Sequence, residues 1–110
     1  MATISSHILD SVSGISAVGI RCQLFQLDGD LRQPVFDVLA DAEGRISETV
    51  TVDADDPGSE FELVMHAGDY FGAIDALVPC VVIRFVIDDD CRRYHMPVML
   101  APHSYSTWWS

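Results

Sequence analysis

Apolar residues recur at every second position through most of this chain, and that alternation constrains its fold more than any other feature. Val18, Ile20, Cys22 and Leu24 alternate with Gly19, Arg21 and Gln23. Ile46, Val50 and Val52 face one way while Arg45, Ser47, Thr49 and Thr51 face the other. Phe61, Leu63 and Met65 form a third run, Val81, Ile83, Phe85 and Ile87 the clearest one, and Tyr94, Met96, Val98 and Leu100 another. Successive side chains of a strand point to opposite faces, so each run is a strand with one buried face. Shorter strands are expected at Val35–Asp41 and Tyr105–Trp108. The alternation fails over Ala67–Ile74, where one short helix is expected near Tyr70–Leu77. Asp41-Ala42-Glu43-Gly44 reads as a turn with Gly where positive φ is tolerated, Asp53–Gly58 as an acidic loop and Asp88–Asp90 as a solvated connection. Short strands at regular spacing with at most one helix predict an all-β fold, an antiparallel β-sandwich of about eight strands.

The chain is 110 residues long, 49% hydrophobic and 21% charged. That is an ordered composition, and the length fits a single domain over residues 1–110. Six basic residues stand against 17 acidic ones, for a net charge of −11. Phosphate binding needs a basic face, so nucleic acid is not an expected partner, and docking on an anionic membrane is disfavoured for the same reason. No run is long and apolar enough for a membrane helix, and the first residues carry neither the basic nor the apolar part of a signal peptide. Cys22, Cys80 and Cys91 are odd in number, widely spaced and without a CxxC. They read as free thiols in a reducing compartment, so the expected location is the cytoplasm. The mean hydropathy of +0.23 is high for so acidic a chain. It implies apolar surface left for subunit contacts, and pairing of exposed strand edges between subunits is one way to cover it.

Motifs of common chemistries are missing. His7, His66, His95 and His103 show no HxH or HxxxH spacing, there is no G-x-S-x-G, and a chain without lysine has no P-loop. The carboxylates cluster in loops, where a solvated acidic run is the ordinary reading. Taken singly, His7 is a residue near the N-terminus, Arg45 a turn arginine, and His95 a surface histidine sharing a sheet face with Arg93 and Pro97. His66, between Met65 and Ala67-Gly68, reads as a structural cap of the turn or helix.

Taken together, the segments say more. Ser6-His7-Ile8-Leu9-Asp10 is followed by Gly14-Ile15-Ser16-Ala17, then Glu43-Gly44-Arg45, Val64–Phe71 and Ile83-Arg84-Phe85. The tail brings Tyr94-His95-Met96-Pro97-Val98 through Pro102, then Ser104-Tyr105-Ser106-Thr107. In order and separation this series resembles the 5-hydroxyisourate hydrolases of the transthyretin-related family, from Ile4 to Ser110. The resemblance implies a transthyretin-like two-sheet sandwich and a homotetramer, a dimer of dimers with active sites in the channel between them. It implies hydrolysis of the N1–C6 bond of a purine-derived ring in urate breakdown, without metal or organic cofactor. It maps the catalytic roles onto His7, Arg45 and His95. Those residue types suit the task. A histidine near its neutral-range pKa can take a proton from water, and an arginine keeps the charge that holds a developing oxyanion.

The tail departs from the family's usual Tyr-Arg-Gly-Ser ending. Trp108 stands at the tyrosine, Trp109 at the arginine, and one residue fewer precedes the terminal Ser110. His103 also occupies a place that is commonly aromatic. With His103, Trp108, Trp109 and Ser110 taken as substrate-binding residues, the exchange of guanidinium for indole makes the site less polar. It suits an N-methylated 5-hydroxyisourate, as in methylxanthine breakdown, as well as the plain compound. The alternatives are a non-catalytic carrier of a flat small ligand and an unrelated β-sandwich interaction module. A carrier has no need of the two histidines.

Overall fold

The computed structural model of the chain describes residues 1–52, 58–72, 77–88 and 91–109. The expected loop over 53–57, the acidic pair Asp89-Asp90 and the terminal Ser110 lie outside the described residues, as does the stretch 73–76 of the expected helix.

Two sheets pack face to face. The first is built on β1 (Ala2–Asp10), which pairs with β5 (Arg45–Val50), β2 (Ile15–Ser16), β8 (Arg93–His95) and β9 (Val98–Ala101), with β10 (Ser104–Thr107) on the outside of β9. The second has the order β4 (Leu31–Leu39), β3 (Arg21–Asp28), β6 (Ser59–Met65), β7 (Val81–Ile87). Ile4, Ile8, Val98 and Leu100 point inward from the first sheet. Cys22, Leu24, Phe61, Leu63, Met65, Val81 and Ile87 meet them from the second. For Val98, Leu100 and the second sheet the inward set is the one that the alternation assigns, because period two puts every second residue in the core; β1, with Ile4 and Ile8, lies outside the runs read as strands. The all-β sandwich expected from the sequence is the fold observed.

The pairing is not antiparallel throughout. β8 and β9 both run parallel to β1, in one continuous register from Thr3↔Arg93 to Asp10↔Leu100. They form a single neighbour interrupted at Met96-Pro97, where the chain has no strand. Proline lacks the N–H a ladder needs, and Met96 is held instead by its N–H on the Ser5 carbonyl. Alternation is the same in parallel and antiparallel strands, so it could not distinguish them.

Other boundaries differ for local reasons. Val18 is half exposed and precedes β3, because Gly19 turns the chain at a φ of 79°. β3 and β4 form a hairpin across Gly29-Asp30, with Asp28 opposite Leu31, so the second strand begins before Val35. The helix α1 spans Ala67–Phe71, earlier than expected, because Gly72 ends it in the left-handed conformation with its N–H on the Gly68 carbonyl. His66 takes the N-cap position, but its side chain makes no cap bond. Its ring reaches Gln23 instead. The last strand closes at Thr107, leaving Trp108 beyond it.

Candidate functional site

Thr3, Ser5, His7 and Leu9 of β1 share the face opposite to Ile4, Ser6 and Ile8 by period two, with Ser5 itself covered by its neighbours. Strand pairing brings the other candidate residues to the same face. His7 lies directly opposite Arg45, the first residue of β5, and Ser5 lies opposite both Ser47 and His95. Directly opposed residues have Cβ atoms roughly 5 Å apart and diagonal ones roughly 7–8 Å, within reach of imidazole and guanidinium. The three residues that the sequence assigns to catalysis therefore share one patch on the solvent face of the first sheet. A residue from each of three strands builds it, and the three are far apart in sequence.

Each side chain has local support. The Ser5 hydroxyl is 2.9 Å from Nδ1 of His95. With Nδ1–H donating to Ser5, Nε2 keeps its lone pair for a proton. His95 is half-buried, and its pKa is held below the ordinary 6.5 by burial first, then by the charges of Arg93, Arg45 and His7. It is therefore neutral at pH 7 and able to accept a proton. Arg45 is placed by its own turn. The Asp41 carboxylate accepts the backbone N–H groups of Glu43 and Arg45, both at 2.9 Å. These bonds, that of Arg45 first, hold the Asp41 carboxyl below the usual carboxylate range. Gly44 makes the turn possible at a φ of 73°, and its carbonyl accepts the Ile8 N–H at 2.8 Å, tying the turn to β1. The Arg45 guanidinium is half exposed, with a long 3.8 Å contact to the exposed Glu43 among the described residues. It is thus available to an incoming anion.

A depression of about 180 Å³ lies here, lined by Ser5, Asp41, Arg45, Ser47, Arg93 and His95 among others. Two guanidiniums at its walls make it electropositive on a chain of net charge −11. Ser5, Asp41 and Arg93 were not singled out from the sequence. Ser5 and Arg93 each stand two residues before a candidate histidine, so period two alone puts them on its face.

The tail residues lie elsewhere in the single chain. A larger, apolar cleft of about 410 Å³ is lined by Phe85, Tyr94, Met96, Thr107, Trp108 and Trp109 among others. Trp109 stacks on Tyr94 at 6.2 Å, and the Arg92 guanidinium lies over its ring at 4.3 Å. Tyr94 points inward where its neighbour His95 points outward, so Trp109 and the histidines occupy opposite sides of β8. His103, in the β9–β10 turn, accepts the Leu77 N–H on Nδ1 at 3.3 Å. The larger cleft holds no histidine among its described lining, whereas the smaller depression has His95 beside Arg45, and His7 lies on the same face opposite Arg45 but outside that lining. The chemistry that these residues allow is attack of water on an acyl carbon, with an imidazole as base and a guanidinium facing the oxyanion.

Comparison with known proteins bears on this arrangement. Residues 4–109 match the HIUase/Transthyretin family. The 5-hydroxyisourate hydrolase 2 of Rhizobium meliloti (strain 1021) is 34% identical over 111 residues, covering 96% of this chain and 92% of that one. The 5-hydroxyisourate hydrolase of Pseudomonas aeruginosa is 32% identical over 114 residues, covering 98% and 90%. Among solved structures, the 5-hydroxyisourate hydrolase of Klebsiella pneumoniae superposes with a TM-score of 0.79 at 28% identity, over 100% of this chain and 99% of that one. An (S)-allantoin synthase superposes with a TM-score of 0.80 at 23% identity. This chain spans 43% of that protein, which shows a shared fold alone.

Proposed function

Since this chain belongs to the HIUase/transthyretin family, we propose that it is a cyclic-amide hydrolase that opens the ring of 5-hydroxyisourate in urate catabolism. The observation that carries the reading is the convergence of His7, Arg45 and a Ser5-held His95 on one electropositive sheet face. Water donates a proton to Nε2 of His95 as its oxygen attacks C6. The C6 oxygen takes the negative charge and faces the Arg45 guanidinium. As the tetrahedral centre collapses, the C6–N1 bond breaks and His7 supplies the proton that the departing nitrogen needs. General base catalysis contributes about 10²–10⁴, and the charge–charge contact adds to it. The carrier alternative leaves the held histidine without a task.

One subunit offers this site as a half-exposed face, and the hydrolytic reading includes a homotetramer in which a second subunit closes it. The apolar cleft and the exposed Val82 and Val86 of β7 leave surface to be covered by such an assembly. The proposed setting is cytoplasmic. Among the described residues no helix is long and apolar enough to cross a membrane.

The indoles favour a second reading of the substrate, the N-methylated ring. An indole offers dispersion and stacking to a methylated heterocycle, where an arginine would favour hydrogen-bonding edges. Because Trp109 lies on the far side of β8 from His95, its contact with substrate requires the neighbouring subunit's site. Trimethylated and plain 5-hydroxyisourate are to be compared by the decay of their absorbance. Acceleration of either supports the hydrolase, and acceleration of neither refutes it. If Trp109 selects the methylated ring, Trp109→Arg shifts the ratio of the two kcat/KM values by about 10-fold or more toward the plain compound. An unchanged ratio removes the tail from specificity.

A further inference from the structure

A second set of reactive groups lies on the outer face of the other sheet. Asp37 of β4, Gln23 of β3, His66 at the end of β6 and Cys80 just before β7 form a line across four neighbouring strands. Gln23 faces outward because Cys22 and Leu24 on either side are buried, and it pairs directly with Asp37. Met65 pairs with Val81, so His66 and Cys80 are the next residues across the same ladder.

The direction of every hydrogen bond in the line is fixed from one end. Arg21 binds Asp37 through two bonds, 2.9 and 2.6 Å, and keeps it a carboxylate. A carboxylate only accepts, so the Gln23 amide nitrogen must face it, at 3.4 Å. That turns the Gln23 oxygen toward His66, where Nε2 lies 2.6 Å away. An amide oxygen also only accepts, so Nε2 carries the proton and Nδ1 of the neutral ring is bare. The Cys80 sulfur stands 3.8 Å from that Nδ1, and its S–H is the donor. This is a nucleophile, a base and a group that orients the base. The backbone around it is held. Pro79 accepts the Gly68 N–H at 2.8 Å, and the His66 N–H donates to the Arg21 carbonyl at 3.0 Å. Cys80 is exposed, so a small molecule can reach it.

We propose that Cys80, with His66 as its base, is a thiol–disulfide exchange site for small soluble disulfides, on the face of the sandwich opposite the hydrolytic patch. In the exchange the thiol proton passes to Nδ1 of His66 and the sulfur attacks one sulfur of the disulfide. A new S–S bond forms at Cys80. The old one breaks, and the second sulfur leaves with the electron pair as a thiolate, which can take the proton from His66. No external oxidant is needed, since the disulfide is the oxidant. The site does not depend on the hydrolase reading, and it is measured without substrate.

The chain carries its own controls. Cys22 is buried, and burial pushes its thiol up to about 12, so it stays unmodified while the fold is intact. Cys91 is exposed and reports general thiol reactivity. Purified protein is treated with oxidised glutathione at pH 7.5, and the rate of mixed-disulfide formation is read at each cysteine by peptide mass spectrometry. Cys80 is expected to react at least about 10-fold more slowly in His66→Ala, with Cys91 unchanged, as for removal of one general base. Gln23→Ala is expected to slow Cys80 by about 3-fold, because the ring is no longer held in its tautomer. Should His66→Ala make Cys22 reactive, and so report unfolding, the Gln23 variant decides. A Cys80 rate within 2-fold of wild type in the folded variants overturns the proposal.

Discussion

Gly44 joins the stability of the fold to the placing of Arg45, so alanine there tests both. Its φ is 73°, a region in which a side chain costs about 1–2 kcal/mol. An added Cβ would also stand 2.7 Å from the Ile8 carbonyl oxygen, 2.8 Å from Ser16 Cβ and 3.0 Å from the Ala17 nitrogen. Two of those three atoms are backbone, and none can swing away as the end of a flexible side chain would. Crowding of that kind adds about 1–3 kcal/mol, for a total of about 2–5 kcal/mol. Gly29 supplies the control. It has a φ of 59° with nothing within 4 Å of an added Cβ, so Gly29→Ala incurs the backbone cost alone. Any gain from stiffening the unfolded chain is common to both and cancels. The two variants should thus differ by about 1–3 kcal/mol, or roughly 4–12 °C in Tm at about 4 °C per kcal/mol for a domain of this size. Both are to be melted at one protein concentration, because association shifts apparent stability. The activity readout runs in parallel. Gly44→Ala moves β5 against β1 and should lower kcat/KM, whereas Gly29→Ala, in the distant β3–β4 hairpin, should not. Equal losses of stability in the two variants would refute the argument that Gly44 is fixed by the close approach of β1.

The further expectations concern His95 and the assembly. Because the folded pKa of His95 lies below 6.5, the acid limb of kcat/KM should have its midpoint below 6.5. The folded state takes up that proton later than the unfolded chain does. Stability is therefore unaffected above 6.5 and declines as pH falls from there through the folded value, a component that His95→Asn removes. Ser5→Ala should lower kcat by about 10-fold by freeing the His95 ring, and Ser5→Thr should restore most of it, read as kcat against KM. Light scattering should report a mass near four times 12.1 kDa, and an active monomer would contradict a site completed by a second subunit.

Much of the fold follows from local chemistry. Cys22 and Ile46 are inward because their polar neighbours, Arg21 and Gln23 for the one and Arg45 and Ser47 for the other, leave no other face for them. Gly72 as the stop of the helix and Asp28-Gly29-Asp30 as a hairpin were legible too, since both use glycine at positive φ, but the Tyr70–Leu77 helix passed over the first and a strand begun at Val35 passed over the second. What local chemistry could not supply is the partner of each strand. The central place of β1 and its parallel pairing with β8 depend on residues about 90 positions away, as in Ser5↔His95. For the same reason His7 and Arg45 could be assigned roles by resemblance, while Ser5, which has no role until His95 stands opposite it, could not. The tail was the least legible part. Whether Trp109 faces Tyr94 or a ligand is decided by packing against parts of the fold distant from the tail.

The central claim is that the patch of His7, Arg45 and His95 hydrolyses the 5-hydroxyisourate ring. Its most direct test is the absorbance decay of freshly generated 5-hydroxyisourate with wild-type protein and with His7→Ala, Arg45→Ala and His95→Ala, each checked for an unchanged melting curve. Wild type should accelerate the decay, and each variant should lose about 10²-fold or more in kcat/KM. Folded variants that keep wild-type rates, or a wild-type protein that leaves the spontaneous decay unchanged, would contradict it.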